Sequence, residues 1–163
     1  MIEFRSSVST TLSAQTVFDE IADFRNLPKW DPGIVACEAL GAGDPRKLGG
    51  EYLVTTRFMG TTQRLRYRVT HWDPPKCAVM RCKTLFFQGV DSITVEEDAS
   101  NGCTLTYHAQ FRFPLGAIVE PFLKPVFERL GNKAIDGLKN HFKRREMDTS
   151  GAAGNKGAVA AAQ

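Results

Sequence analysis

Three tyrosines and one aspartate are the groups through which this 163-residue chain could do acid–base or polar recognition chemistry. Tyr52, Tyr67, Tyr107 and Asp91 all lie in segments where apolar and polar residues alternate, the mark of half-buried strands whose successive side chains point to opposite faces. In RLRYRV, Arg64, Arg66 and Arg68 take one face while Leu65, Tyr67 and Val69 take the other. The same alternation in the neighbouring segments gathers Tyr52, Val54, Thr56, Phe58, Met80, Phe87, Gly89, Asp91, Tyr107 and Phe111 on the dry face with Leu65 and Tyr67. A carboxyl desolvated there has a raised pKa, and beside a phenol it can take or give a proton. Asp91, Tyr67 and Tyr107 are therefore the candidate catalytic groups. A tyrosine on a core face also commonly just buries its ring and satisfies its hydroxyl on the backbone. Three phenols, a carboxyl and Thr56 on one apolar surface fit a lined pocket better than a solid core, because each buried polar group needs a partner. No histidine reads as a base for such a pocket: the alternation points His108 outward, and His71 stands at a strand end before a turn.

Other chemistries find less support. Cys37, Cys77, Cys82 and Cys103 form no C-x-x-C pair, and His71, His108 and His141 are too far apart for a local ligand motif, so no metal is expected. The glycines near the C-terminus lack the GK[ST] ending of a phosphate loop, and no cofactor is expected. A net charge of +3 is too small to imply nucleic acid by itself. The outward arginines Arg57, Arg64, Arg66, Arg68 and Arg81 are interleaved with threonines and carry no aromatics for base stacking, which describes a solvated sheet face. No window reaches the roughly 18 apolar residues of a membrane span, and MIEFRSS is not a signal peptide, so a cytoplasmic protein is expected, with transient membrane contact left open. A monomer or weak dimer is the expected state.

The elements that must position the dry face follow from periodicity. Residues 2–10 read as a first strand, and Ser13 caps a helix carrying Val17, Phe18, Ile21 and Ala22 that ends near Phe24. Arg25 to Trp30 forms a second short helical turn before Asp31, Pro32 and Gly33 redirect the chain. Six strands follow at about 34–40, 50–58, 62–72, 76–83, 86–97 and 103–113, with Asn101-Gly102 the strongest sign of a tight hairpin turn. After Pro114, Leu115, Val119, Leu123, Phe127, Leu130, Ala134, Leu138 and Phe142 recur at helical spacing, with Pro121 and Pro125 kinking the helix or marking its start. The expected organisation is one domain over residues 1–146 and a disordered tail over 147–163, which has almost nothing to bury.

Strand, two short helices, six-stranded meander and long helix, together with VFDEIADFRNLPKWDPGI, LGGEYLV, LRYRVTHWDPPKCAV, TLTYHAQFRF and GLKNHFKRR, resemble the START-related SRPBCC superfamily, in particular its polyketide cyclase/dehydrase and lipid-transport branch. The resemblance covers about Ile2 to Lys143 and implies an α+β helix-grip fold. In that fold an antiparallel seven-stranded curved sheet wraps a long C-terminal helix, with two short helices between strands 1 and 2 closing a hydrophobic tunnel. On that arrangement the cavity wall comprises Tyr52, Val54, Thr56, Phe58, Leu65, Tyr67, Met80, Phe87, Asp91, Tyr107 and Phe111. Trp30 joins them from the short helices, and Phe122, Val126 and Leu130 from the long one. The function expected first is binding, or transport, of a lipid, polyketide, isoprenoid or similar molecule. The alternative is a polyketide cyclase, aromatase or dehydratase working through the cavity tyrosines and Asp91.

Overall fold

The computed structural model describes residues 1–114 and 116–160, with backbone only for Ala117 and for 151–160; Leu115 and 161–163 lie outside the described residues. Strand β1 (Ile2–Thr10) opens the chain. Ser13 then starts helix α1 (Ala14–Ile21) by accepting a hydrogen bond from the Thr16 amide at 3.3 Å. Ala14, Val17, Phe18 and Ile21 form its buried stripe. The helix stops at Ile21 rather than near Phe24 because Asp23 adopts extended backbone and caps a fresh 3-10 turn, Phe24–Asn26, through the Arg25 amide. Helix α2 (Leu27–Trp30) follows, with Pro28 in its first turn, where a missing N–H costs little. Asp31 ends it in extended backbone and accepts from the Gly33 amide at 2.8 Å.

Strands β2 (Ile34–Leu40), β3 (Glu51–Phe58), β4 (Thr61–Asp73), β5 (Cys77–Lys83), β6 (Gln88–Glu97) and β7 (Cys103–Arg112) complete one antiparallel sheet in the order β1-β7-β6-β5-β4-β3-β2. Their ends fall within one or two residues of those expected from periodicity. The turn chemistry differs. The tight turn with positive φ at both central residues is Met59-Gly60, at 47° and 78°. Asn101-Gly102 instead ends a longer loop in which the Asp98 carboxylate accepts from the Ser100 and Gly102 amides, so only Asn101 needs the left-handed region. Alternation holds along β5, with Ala78, Met80 and Cys82 inward. A bulge between Val69 and His71 shifts the end of β4, where Trp72 meets Phe18 edge to face at 5.1 Å.

The long helix α3 (Gly116–Ala160) contains both Pro121 and Pro125, so it begins before them. Its helical backbone runs to Ala160. Around Ile135, Leu138 and Phe142 the helix is locked into the core. Two glycines allow the closest approaches: a Cβ on Gly131 would stand 2.6 Å from the Phe4 ring, and one on Gly137 only 1.9 Å from the Trp30 carbonyl oxygen. Glu20 of α1 then binds His141 at 2.9 Å and Arg145 at 3.2 Å, and Glu146 accepts from the Thr10 hydroxyl at 2.6 Å. These contacts pin the later turns of the helix, and the Met1 ammonium pairs with Glu120 near its start. Its first half, from Val119 to Ala134, is the part that borders a hollow.

Candidate functional site

Between the inner sheet face and that first half of α3 lies a cavity of about 630 Å³. Strands supply Val54, Thr56, Phe58, Leu65, Tyr67, Asp91, Tyr107 and Phe111; α3 supplies Leu123, Phe127 and Leu130; Phe24, Leu27, Trp30 and Asp31 come from the segment around the short helices. One end is aromatic. The Phe127 ring spans the gap between helix and sheet, with centroids 4.5 Å from Phe111, 5.5 Å from Phe58 and 5.9 Å from Phe113. Leu85 and Phe86 border the cavity yet are 91% and 78% exposed, which places the mouth beside their loop. At the other end Trp30 lies edge to face on Tyr107 at 5.9 Å, and Phe24 meets Tyr67 at 5.4 Å.

The polar groups gather at this second end. The Tyr107 hydroxyl donates to Asp91 Oδ1 at 2.8 Å. Asp91 is 4% exposed, and desolvation pushes its carboxyl up to about 6, against the opposing hydrogen bond from Tyr107. Tyr67 stands close enough to favour the charged carboxylate as well, although Oδ2 has no hydrogen-bond partner of good geometry. Burial holds the Tyr67 and Tyr107 phenols well above their ordinary range, reinforced by the Asp91 charge, so both stay neutral. Asp31 also borders the cavity; desolvation raises its carboxyl, and its charge raises Asp91 further. The Trp30 indole N–H, the Tyr52 hydroxyl and Asp91 Oδ2 are buried polar atoms without partners among the described residues. Two of the three belong to residues of the cavity wall. Such atoms are rare in folded proteins because each costs on the order of 1–3 kcal/mol.

Of the residues expected on the wall, Trp30, Val54, Thr56, Phe58, Leu65, Tyr67, Phe87, Asp91, Tyr107, Phe111 and Leu130 lie there. Tyr52 and Met80 do not: both are fully buried in the solid core behind it. Phe122 is 77% exposed and Val126 is off the wall. Each is displaced by its neighbour, Leu123 or Phe127, since one residue along a helix rotates the side chain by about 100°. Thr56 is spoken for, its hydroxyl donating to the Gly33 carbonyl at 3.0 Å. Asp31 was missed by sequence reasoning because D-P-G reads as a turn; only the docking of the short helices brings its carboxyl to the hollow. His108 is on the outer face, 2.6 Å from Glu3, and His71 is exposed. His141, buried against Glu20, ties helices together away from the wall. Among the described residues no three ligand side chains cluster as a metal site would require, and all four cysteines are free.

A family model described as polyketide cyclase / dehydrase and lipid transport matches residues 1–143. No curated protein matches the sequence. Among solved structures, a START superfamily protein from Mycobacterium smegmatis aligns with TM-score 0.70 at 14% identity, over 87% of this chain and 97% of that one. A protein from Thermobifida fusca aligns with TM-score 0.65 at 21% identity, over 88% and 95%. The di-domain ARO/CYC StfQ from the steffimycin biosynthetic pathway aligns with TM-score 0.66 at 10% identity, over 89% of this chain and 51% of its own. At these identities the structures attest the fold alone. The family model spans the whole sheet and the helix as far as Lys143, so the chain belongs to the polyketide cyclase / dehydrase and lipid transport family.

Proposed function

We propose that the protein binds a hydrophobic or amphipathic small molecule, such as a lipid, polyketide or isoprenoid, between the sheet and α3. The observation that carries this reading is the hollow itself: about 630 Å³ walled almost wholly by aromatic and aliphatic side chains, with its polar groups collected at one end. Removing apolar guest surface from water supplies the drive, roughly 25 cal/mol per Å², and the Asp91–Tyr107 pair fixes orientation. Titration with the neutral fluorophore N-phenyl-1-naphthylamine should give saturable, blue-shifted emission. Ala134→Phe, which fills the wall from the helix side, should weaken it at least tenfold with far-UV circular dichroism unchanged. Unsaturable binding, or equal binding by that variant, defeats the reading.

One observation favours a second reading. A buried carboxyl titrating near 6 with a phenol on Oδ1 is suited to proton transfer at neutral pH. Asp91, ionised, would take a proton from the carbon beside a bound ketone, leaving an enolate that closes on a second carbonyl of the same chain. This is the cyclase reading.

A further inference from the structure

Among the described residues the cavity wall carries no lysine, arginine or histidine; its ionisable groups there are Asp31 and Asp91 and the phenols Tyr67 and Tyr107. Both phenols stay neutral, so any charge in this low-dielectric space is negative. Asp91 Oδ2 is left without a donor, on a side chain 4% exposed. An ionised carboxylate can only accept, and each of its oxygens has capacity for more than one hydrogen bond. What is lacking is therefore a donor, brought by the guest. The Trp30 indole N–H, on another residue of the same wall, is also unpartnered. Trp30, Tyr67 and Tyr107 border that end, and an aromatic ring presenting its face favours a cation over an anion.

Building on the binding role above, we propose that the guest's buried head group is a hydrogen-bond donor that is not anionic, a protonated amine or a hydroxyl, and that acidic lipids are selected against. An ammonium and a carboxylate on equal alkyl chains both lose hydration on entering an apolar site. Their difference in affinity therefore reports the sign of the field inside.

The test displaces N-phenyl-1-naphthylamine from the full chain at pH 7.5 with dodecylamine and dodecanoate below their critical micelle concentrations and dodecanol below its aqueous solubility. Dodecylamine and dodecanol should each compete at least tenfold better than dodecanoate. In Asp91→Asn the amine's advantage over dodecanoate should fall at least fivefold, while dodecanol still binds. Asp31→Asn, at a residue where the carboxylate faces the same space, should lower that advantage less and serves if Asp91→Asn does not fold. Dodecanoate competing as well as either donor overturns the proposal, as does an advantage unchanged in both variants. In either of those cases saturable fluorophore binding leaves the cavity role standing; absence of saturable binding removes both.

Discussion

Replacing Asp91 by asparagine tests the electrostatic picture without any ligand. Its carboxyl is displaced from 3.8 to about 6 in the folded protein, chiefly by desolvation. At roughly 1.4 kcal/mol per pH unit, this displacement is worth about 3 kcal/mol. The sign follows from which state holds the proton. Between pH 4 and 6 the folded protein keeps Asp91 protonated while the unfolded chain has released it, so the native state binds more protons and stability falls as pH rises. Below that window the carboxyl costs little. Above pH 6 it is ionised in both states, and the full cost of a buried charge is present. Urea denaturation of wild type and Asp91→Asn should therefore be compared at pH 4, 5, 6, 7 and 8. An asparagine amide has hydrogen-bonding demands of its own, but they do not change with pH and shift the comparison by a constant. The pH-dependent part of the difference should grow in favour of the variant by up to about 3 kcal/mol from pH 4 to 7.5. Parallel profiles for the two proteins, separated by the same amount at every pH, would refute a buried titrating carboxyl.

Gly137→Ala should destabilise by about 1–3 kcal/mol or more, the usual cost of overpacking, because its Cβ would stand 1.9 Å from the Trp30 carbonyl oxygen. Denaturation measures the loss, and a shift in tryptophan emission should accompany it. If the protein is a cyclase, turnover of a linear polyketide thioester should vanish in Asp91→Asn and drop in Tyr107→Phe while fluorophore binding persists; binding and turnover lost together would instead mark Asp91 as a ligand contact.

The strands and their faces were legible because alternation is a local signal that burial of one face enforces everywhere: a slip of one residue would have turned Tyr67 and Asp91 to solvent. The same logic put Asp91 on one face with Tyr67 and Tyr107, without choosing between them. It failed for Tyr52 and Met80, since sharing a face says nothing about whether that face meets packed side chains or empty space at a given position. On α3 the apolar series through Leu123 and Phe127 was visible, yet Phe122 and Val126 were also apolar, and composition alone does not rotate a helix. Asp31 was beyond reach for a different reason. Its backbone role in the turn after α2 is local, whereas its place on the cavity wall depends on how α2 docks against α3 through Gly137.

The hollow is a consequence of where α3 is held. Gly131 and Gly137 bring the helix against Phe4 and the α2 backbone, Glu20 and Glu146 bind its later turns, Glu120 pairs with the Met1 ammonium, and the Phe127 ring stands between helix and sheet against Phe111 and Phe58. A helix held at these points and spaced by an aromatic cannot close onto Leu65 and Asp91. Packing therefore gives no reason for a carboxyl at position 91, whose cross-strand neighbours are Met80 and Ala109 and whose burial opposes folding at neutral pH. An apolar residue there would relieve that cost. On the binding role proposed above, a group that weakens the fold, borders an open space and leaves one oxygen unpaired would be accounted for by a guest, and the head group of that guest, more than its tail, is the property the site should discriminate.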